Sequence, residues 1–226
     1  MKALAQVVPH QVSAGVGNLQ VVAFSGKTDD ENYWVYMDIM EGSYGGRYGK
    51  DGMDAVDTLY ANTRNNPIED IESHYPLRVN RYELRDNESA PGKWRGGIGS
   101  IREITFLGDG SFSVEADGHK FAPWGFDGGK SGSVGGLSIR NDETGETLKM
   151  PSKLPNRHVT SGNTIQLVGP CGGGYGNPLE RDPEKVLSDY LDGYLTKSQA
   201  KEEYGVVITE NNLVDVEQTT ALRNSH

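Results

Sequence analysis

Cysteine is almost missing from this chain. Cys171 is the single copy, which excludes an internal disulfide and a multi-cysteine metal site. Basic charge is short as well, with 22 Lys and Arg against 32 Asp and Glu and a formal net charge of −10. A nucleic-acid surface needs a basic face to neutralise phosphates, and an anionic membrane attracts the same sign, so neither is expected as a partner. No apolar run approaches the roughly 20 residues of a membrane helix. The opening MKALAQVVPHQV has one lysine, and its apolar stretch is broken by Gln6 and Pro9, so no signal peptide is read. The expected compartment is the cytoplasm. The histidines (His10, His74, His119, His158 and His226) include no pair at ligand spacing and no H-E-x-x-H or H-x-D unit. A complete metal site built from this chain alone is not expected. Internal repeats and low-complexity segments are absent too.

Glycine, by contrast, is abundant. There are 30 copies in 226 residues, against about 16 at the average usage of roughly 7%. They cluster between apolar runs without a fixed period, which predicts a turn-rich, largely β architecture. Strand-like stretches run over 19–24, 33–39, 77–84, 101–107, 111–116 and 164–168, with a hairpin tip at NDETGET, 141–147. Met1, Leu4, Ala5 and Val8 share helical spacing without a cap before them, and read as the end of a helix that begins elsewhere. Asn66, Pro67 and Glu69 predict a capped short helix burying Ile68, Ile71 and Tyr75. Asp182-Pro183 opens another helix, and Thr196 with Gln199 forms a capping box for one that stops at Gly205. The fold class is therefore α+β, mainly antiparallel β with glycine-rich turns and a small helical lobe. The expected divisions are a β-rich part at 1–180, the lobe at 181–208 and a polar tail or strap at 209–226.

Four motifs invite chemistry. Gly-Gly-Lys-Ser at 128–131 suggests a phosphate loop, but the glycine that loop requires is replaced by Trp124, and no long helix follows. A glycine-rich turn is the better reading. Three consecutive glycines, 172–174, permit either a tight turn or a binding wall of main-chain N–H groups. Cys171 beside them has no histidine nearby in sequence to activate it, which favours a buried structural thiol. Asp51, Asp54 and Asp57, spaced by three, fit a hard-cation site or, more commonly, a solvated acidic face. The run Asn62-Thr63-Arg64-Asn65-Asn66 lies beside the glycine-rich loop 45–52 and is dense in hydrogen-bonding side chains. Arg47, Asp51, Asn62, Thr63 and Arg64 are the residues expected to face substrate, with Arg47 or Arg64 holding a carboxylate, phosphate or bicarbonate. Asp51 orients a ligand or braces the loop. No residue is assigned a catalytic role.

Seven blocks in register then carry a resemblance: GGRYGKDGMDAVDT, NTRNNPIEDIESHYPLRVNRYELR, RGGIGSIRE, FAPWGFDGG, PSK, GPCGGGYGNPLERDPEKVL and DGYLTKSQAKEEYGVVI. Their order and content are similar to the carboxy-terminal region of hydantoinase B/oxoprolinase subunits, over about residues 1–208. The resemblance implies a subunit of a multi-chain, ATP-dependent amidohydrolase that opens a cyclic amide of the hydantoin or 5-oxoproline type. The related alternative is a subunit of an ATP-dependent ketone carboxylase of the acetone or acetophenone type. A third reading is a non-catalytic structural subunit of such a complex. It implies two partners, an A-type ATP-binding subunit and a chain carrying the missing amino-terminal part of the B-type subunit. ATP and a divalent metal ion are implied for the complex, and neither is expected to be bound wholly by this chain, because the family's metal-binding elements lie in the absent part.

Overall fold

Alternation of side chains sets the architecture. In the strand YWVYMDIM, Trp34, Tyr36, Asp38 and Met40 turn inward, while Tyr33, Val35 and Met37 face out. The computed structural model describes residues 2–28, 30–56 and 63–225; Met1, Asp57, Asn62 and His226 lie outside the described residues. Strands β1 (Gln20–Lys27), β2 (Tyr33–Met40), β5 (Gly110–Ala116) and β8 (Lys153–Val159) form one sheet in the order β2-β1-β5-β8. The second sheet runs β3-β4-β9-β6-β7, from β3 (Leu77–Leu84), β4 (Ser100–Phe106), β9 (Asn163–Val168), β6 (Gly136–Asn141) and β7 (Thr147–Lys149). The pairings are antiparallel. Phe24, Tyr36 and Phe112 from the first sheet and Ile104, Phe106 and Ile165 from the second share one apolar core. The α+β class with mainly antiparallel strands is what the sequence led one to expect. β8 was not foreseen: its segment KLPNRHV is largely exposed and contains Pro155. It lies at a sheet edge, beside the register shift in its pairing with β5, where a proline is tolerated.

The predicted caps fare unequally. Helix α1 (Ile68–His74) starts one residue late, with Pro67 at the cap position and no side-chain cap. Asn66 donates to Asp70 instead (2.8 Å), Ile71 is buried, and Ile68 is 38% exposed. Helix α2 (Pro183–Leu191) is capped by Asp182, and α3 (Lys197–Tyr204) carries the full Thr196/Gln199 capping box and ends at left-handed Gly205. Val186, Leu195, Ala200, Tyr204 and Val206 form a second, smaller core. The segment 209–225, from the stretch expected as a tail or a strap across a partner, carries α4 (Val216–Arg223), which packs on its own chain. Polar atoms hold it: Thr219 Oγ1 accepts from Val207 N (3.0 Å), and Arg223 donates to the carbonyls of Tyr204 (3.0 Å) and Arg181 (2.7 Å). Low hydrophobicity concealed that packing from the sequence. The expected helix over 1–8 is replaced by short 3-10 turns at Leu4–Gln6 and Pro9–Gln11; without a cap, and with Pro9 following, no longer helix forms.

Between sandwich and lobe lies a third kind of structure. Glycine-rich segments, 14–17, 43–53, 90–99, 123–133 and 169–176, run extended beside one another outside either sheet. Their N–H groups bond to main-chain carbonyls of several neighbours in turn. The strand of the bundle at 171–176 donates successively to the carbonyls of Ser133, Gly97, Gly15, Lys130, Trp94 and Phe126. A Cβ on Gly172, Gly173 or Gly174 would overlap the main-chain oxygen of Tyr44, Trp124 or Pro91 respectively. These glycines are thus needed for close approach on three sides, and none of the three has positive φ.

Candidate functional site

Two clusters of charge are built into this frame, and one of them is hydrogen bonded to the polar run singled out in the sequence. The first is a brace. Arg181, 1% exposed, donates from both terminal nitrogens to Asp51 (2.7 and 2.9 Å) and from Nε to Asp189 (3.0 Å). Arg95 donates to both oxygens of Asp54 (2.7 and 3.0 Å), its main-chain N–H reaches Asp51 (2.9 Å), and its Nε lies 3.4 Å from Asp189. Burial pushes the Asp51 carboxyl up, but the hydrogen bonds and charge of Arg181, joined by Arg95, outweigh it and hold the group below its ordinary value. For Asp189, burial wins over Arg181 and Arg95, and its pKa is raised. The network ties the 51–54 loop and the 93–95 segment to α2.

Asp51, expected to face substrate or brace the loop, is placed against Arg181. With Asp54 it is committed to guanidinium groups, so these carboxylates do not present a cation site. Among the described residues no group of three or more His, Cys, Asp and Glu is placed to hold a metal ion. Asp57 lies outside the described residues. The Gly-Gly-Lys-Ser turn does not fit a phosphate, since the N–H groups of Gly129, Lys130 and Gly132 are spent on Phe126, Pro91 and Pro123 carbonyls. The same accounting removes the N–H wall imagined at 172–174. Cys171 is fully buried and accepts from Gly99 N (3.3 Å), with burial raising its pKa. An unreactive thiol is the consequence.

The second cluster is buried where β2 and β4 face each other. Asp38 is in phase with Trp34 and Tyr36 on β2, and Arg102 is in phase with Ile104 and Phe106 on β4, so both charges turn inward. They meet as a buried ion pair. Tyr82 stands opposite Arg102 in the β3–β4 ladder, its ring centre 4.0 Å from the guanidinium carbon. Its hydroxyl donates to Glu41 (3.3 Å), which follows β2 and is 4% exposed. Asn65 closes the ring of contacts, accepting from Arg102 (3.2 Å) and donating to the Tyr82 hydroxyl (2.8 Å).

The charge balance of this cluster is uneven. Arg102 is matched by Asp38, leaving Glu41 as a second carboxylate. Burial raises the Glu41 pKa, its own main-chain hydrogen bond and the Arg102 charge opposing only in part. The Tyr36 hydroxyl is pushed up as well, by burial first and then by Asp38. Arg102 Nε has no hydrogen-bond partner among the described residues. A guanidinium edge, two carboxyl groups, phenols and an amide can together orient a planar polar group.

Thr63 and Arg64 are exposed and lead directly into Asn65, so part of the polar run does join a buried cluster. Asn62 lies outside the described residues. Arg47 is placed elsewhere, exposed at a tight turn where its N–H and carbonyl exchange bonds with Lys50 (3.0 Å each). Its neighbour Tyr48 packs against His10 and Trp94, at ring distances of 4.3 and 5.0 Å. Asp38, Glu41, Tyr82 and Arg102 were not foreseen. A signal existed in two opposite charges, each in phase with the buried positions of its strand.

Fold and site define a two-sheet α+β unit, braced by buried ion pairs around a glycine bundle; no helix among the described residues is long and apolar enough to cross a membrane. The chain belongs to the hydantoinase B/oxoprolinase family, whose profile matches residues 1–178. It is 82% identical over 99% of its length to a protein of Pseudomonas sp. (strain NS671) provisionally assigned as the B-type component of a D-/L-hydantoinase, covering 38% of that relative. Its fold superposes on the crystal structure of the ATP-dependent caprolactamase of Pseudomonas jessenii with a TM-score of 0.83 at 24% identity, covering 99% of this chain and 40% of that one. A nucleotide-free acetone carboxylase, from work on ATP-dependent acetone carboxylation, gives 0.80 at 18% identity, covering 98% and 34%. The chain thus spans about two fifths or less of the length of the proteins it matches.

Proposed function

We propose that this chain is part of the B-type subunit of an ATP-dependent amidohydrolase that opens a cyclic amide of the hydantoin or 5-oxoproline type. The observation that carries the reading is the 82% identity, over nearly the whole chain, to the relative assigned as the B-type component of a D-/L-hydantoinase. An A-type subunit and the remaining portion of the B-type fold supply ATP and metal binding. ATP, when bound there, turns the unreactive amide oxygen into a phosphate leaving group. This chain contributes the cluster of Asp38, Glu41, Asn65, Tyr82 and Arg102, with Thr63 and Arg64 facing the ligand. Each amide unit of such a ring presents an N–H donor beside a carbonyl acceptor, and the cluster holds groups of both complementary kinds. Arg64 orients the ligand's oxygen. Asn62 is a further substrate-facing residue, and Arg47 is another, from its separate turn with Lys50. Asp51 holds the loop.

The test is reconstitution with the A-type subunit and the remaining B-type portion. Ring opening of hydantoin or 5-oxoproline coupled to ATP hydrolysis, without bicarbonate, is the expected result. Arg64→Ala is expected to lower kcat/KM by about tenfold or more, the scale of one charge-assisted contact. Turnover that requires bicarbonate and a ketone would replace this reading with the carboxylase one, which the likeness to the acetone carboxylase fold keeps as the second. Complete assembly without any turnover, on either substrate class, would leave the chain a structural subunit.

A further inference from the structure

The outer face of the sheet β2-β1-β5-β8 carries the strongest unassigned feature of the molecule. Tyr33, Val35 and Met37 on β2 are 82%, 67% and 62% exposed. Register places them beside Lys27, Ser25 and Ala23 of β1, and beyond those lie Ser111 and Ser113 of β5. Large apolar side chains therefore line one edge, and small ones floor the centre. On the far side His158, Pro155 and Lys153 of β8 form the opposite rim. Two hollows of about 460 and 370 Å³ lie on this face, the first lined by Val21, Ala23, Ser113 and Lys153, the second by Ser25, Tyr33, Val35 and His158. Both lie on the floor of the trough between the β2 and β8 rims.

The dimensions name its occupant. Four strands spaced by about 4.8 Å put the rims roughly 14 Å apart, and a helix with its side chains is about 10–12 Å across. Contiguous exposed apolar surface of this kind marks an interface. β2 is also an eight-residue edge strand with no proline in it and lysine nowhere along it, so it is not blunted against contact. The source of the helix follows from lengths. The matching unit makes up only 38% of the hydantoinase-type relative, 40% of the caprolactamase chain and 34% of the acetone carboxylase chain. In each of them the greater part of the polypeptide is covalently joined to this unit, which makes it the nearest source of such a helix.

We infer that an apolar-faced helix from the remaining portion of the B-type fold seats in this trough, with its apolar side against Val35, Met37 and Ala23. The inference deepens the proposed function by naming where one of its two partners docks, and rests on that reading for the partner's identity.

Binding, without ATP or substrate, tests it. The full chain is co-expressed with a tagged chain encoding the remaining portion of the Pseudomonas sp. relative and captured through the tag. A Val35→Glu, Met37→Glu double variant is expected to weaken capture by about 30-fold or more, while Leu148→Glu, on an exposed strand of the other sheet, leaves it unchanged. Circular dichroism and thermal unfolding of the isolated variants establish that both remain folded. Hydrogen exchange of wild type is expected to slow over 33–39 when the partner is present. The inference is overturned by failure of the wild type to be captured, by equal capture of all three proteins, or by protection confined to other surfaces. A homodimer that Met37→Glu dissociates and the tagged partner does not displace overturns it as well, and assigns the face to self-association. Docking without turnover of any cyclic amide would keep the surface and refute the proposed activity; turnover with an unprotected trough would do the reverse.

Discussion

In the sandwich, side chains fill the interior: Phe24, Phe106, Phe112 and Ile165 interdigitate between two sheets, and the backbones stay apart. In the glycine bundle the backbone is the filling, and the segment at 171–176 is enclosed by the main chains of its neighbours. The first region buries apolar area and can repack around a changed side chain. The second depends on contacts between rigid peptide groups, each already hydrogen bonded, and has nothing soft to move. Glycine abundance, which suggested turns, mostly reflects this second mode of burial.

Substitutions can break that contrast or sharpen it. The largest effect is expected at Gly173→Ala, whose added Cβ meets the main chain of Trp124 and Gly125. A loss exceeding about 4 kcal/mol, or no folded protein, is predicted from urea unfolding; a modest change would show that the bundle can breathe. Next comes Arg181→Ala, which strands Asp51 and Asp189, with an expected cost of about 3–5 kcal/mol. Retention of wild-type stability would mean that the brace is ornamental. A smaller loss is expected for Asp51→Asn, and it carries a pH signature. Because the folded pKa of Asp51 is depressed, its stabilisation is complete above the ordinary carboxylate value and is lost as pH falls through the folded one. The wild-type advantage should therefore be constant near neutrality and narrow in acid. An advantage that grew on acidification would reverse the assignment.

In the sandwich, Ile165→Val is expected to cost only about 1 kcal/mol by thermal unfolding, and a cost like that of Gly173→Ala would erase the distinction between the regions. The smallest effect belongs to a glycine of the other kind. Gly145 has φ 71° and open space around it at the β6–β7 hairpin tip. Asn tolerates that conformation, so Gly145→Asn should stay within about 0.5 kcal/mol.

Much of this was legible. The helices opened by Asp182 and Thr196, and the stop at Gly205, depend on groups within three or four residues of each other, and they form as read. Six strand segments showed their alternation or β-rich composition. Asp38 and Arg102 were legible in principle, because each keeps the phase of buried neighbours, yet nothing local says that they meet. β8 and α4 escaped notice because each is largely exposed, with Val159 and Thr219 as their buried positions.

The sequence by itself determined the strand periods, the capped helices and the family. These follow from side chains acting over a few residues, and from blocks whose order alone is informative. Only the tertiary structure decided that Asp51 serves Arg181, 130 residues away, and that Asn65 belongs with Arg102 and Tyr82. It alone decided that glycines 172–174 wall nothing. Pairing of charges and close approach of backbones depend on which distant segments the fold brings within a few ångströms, and no local propensity encodes that distance.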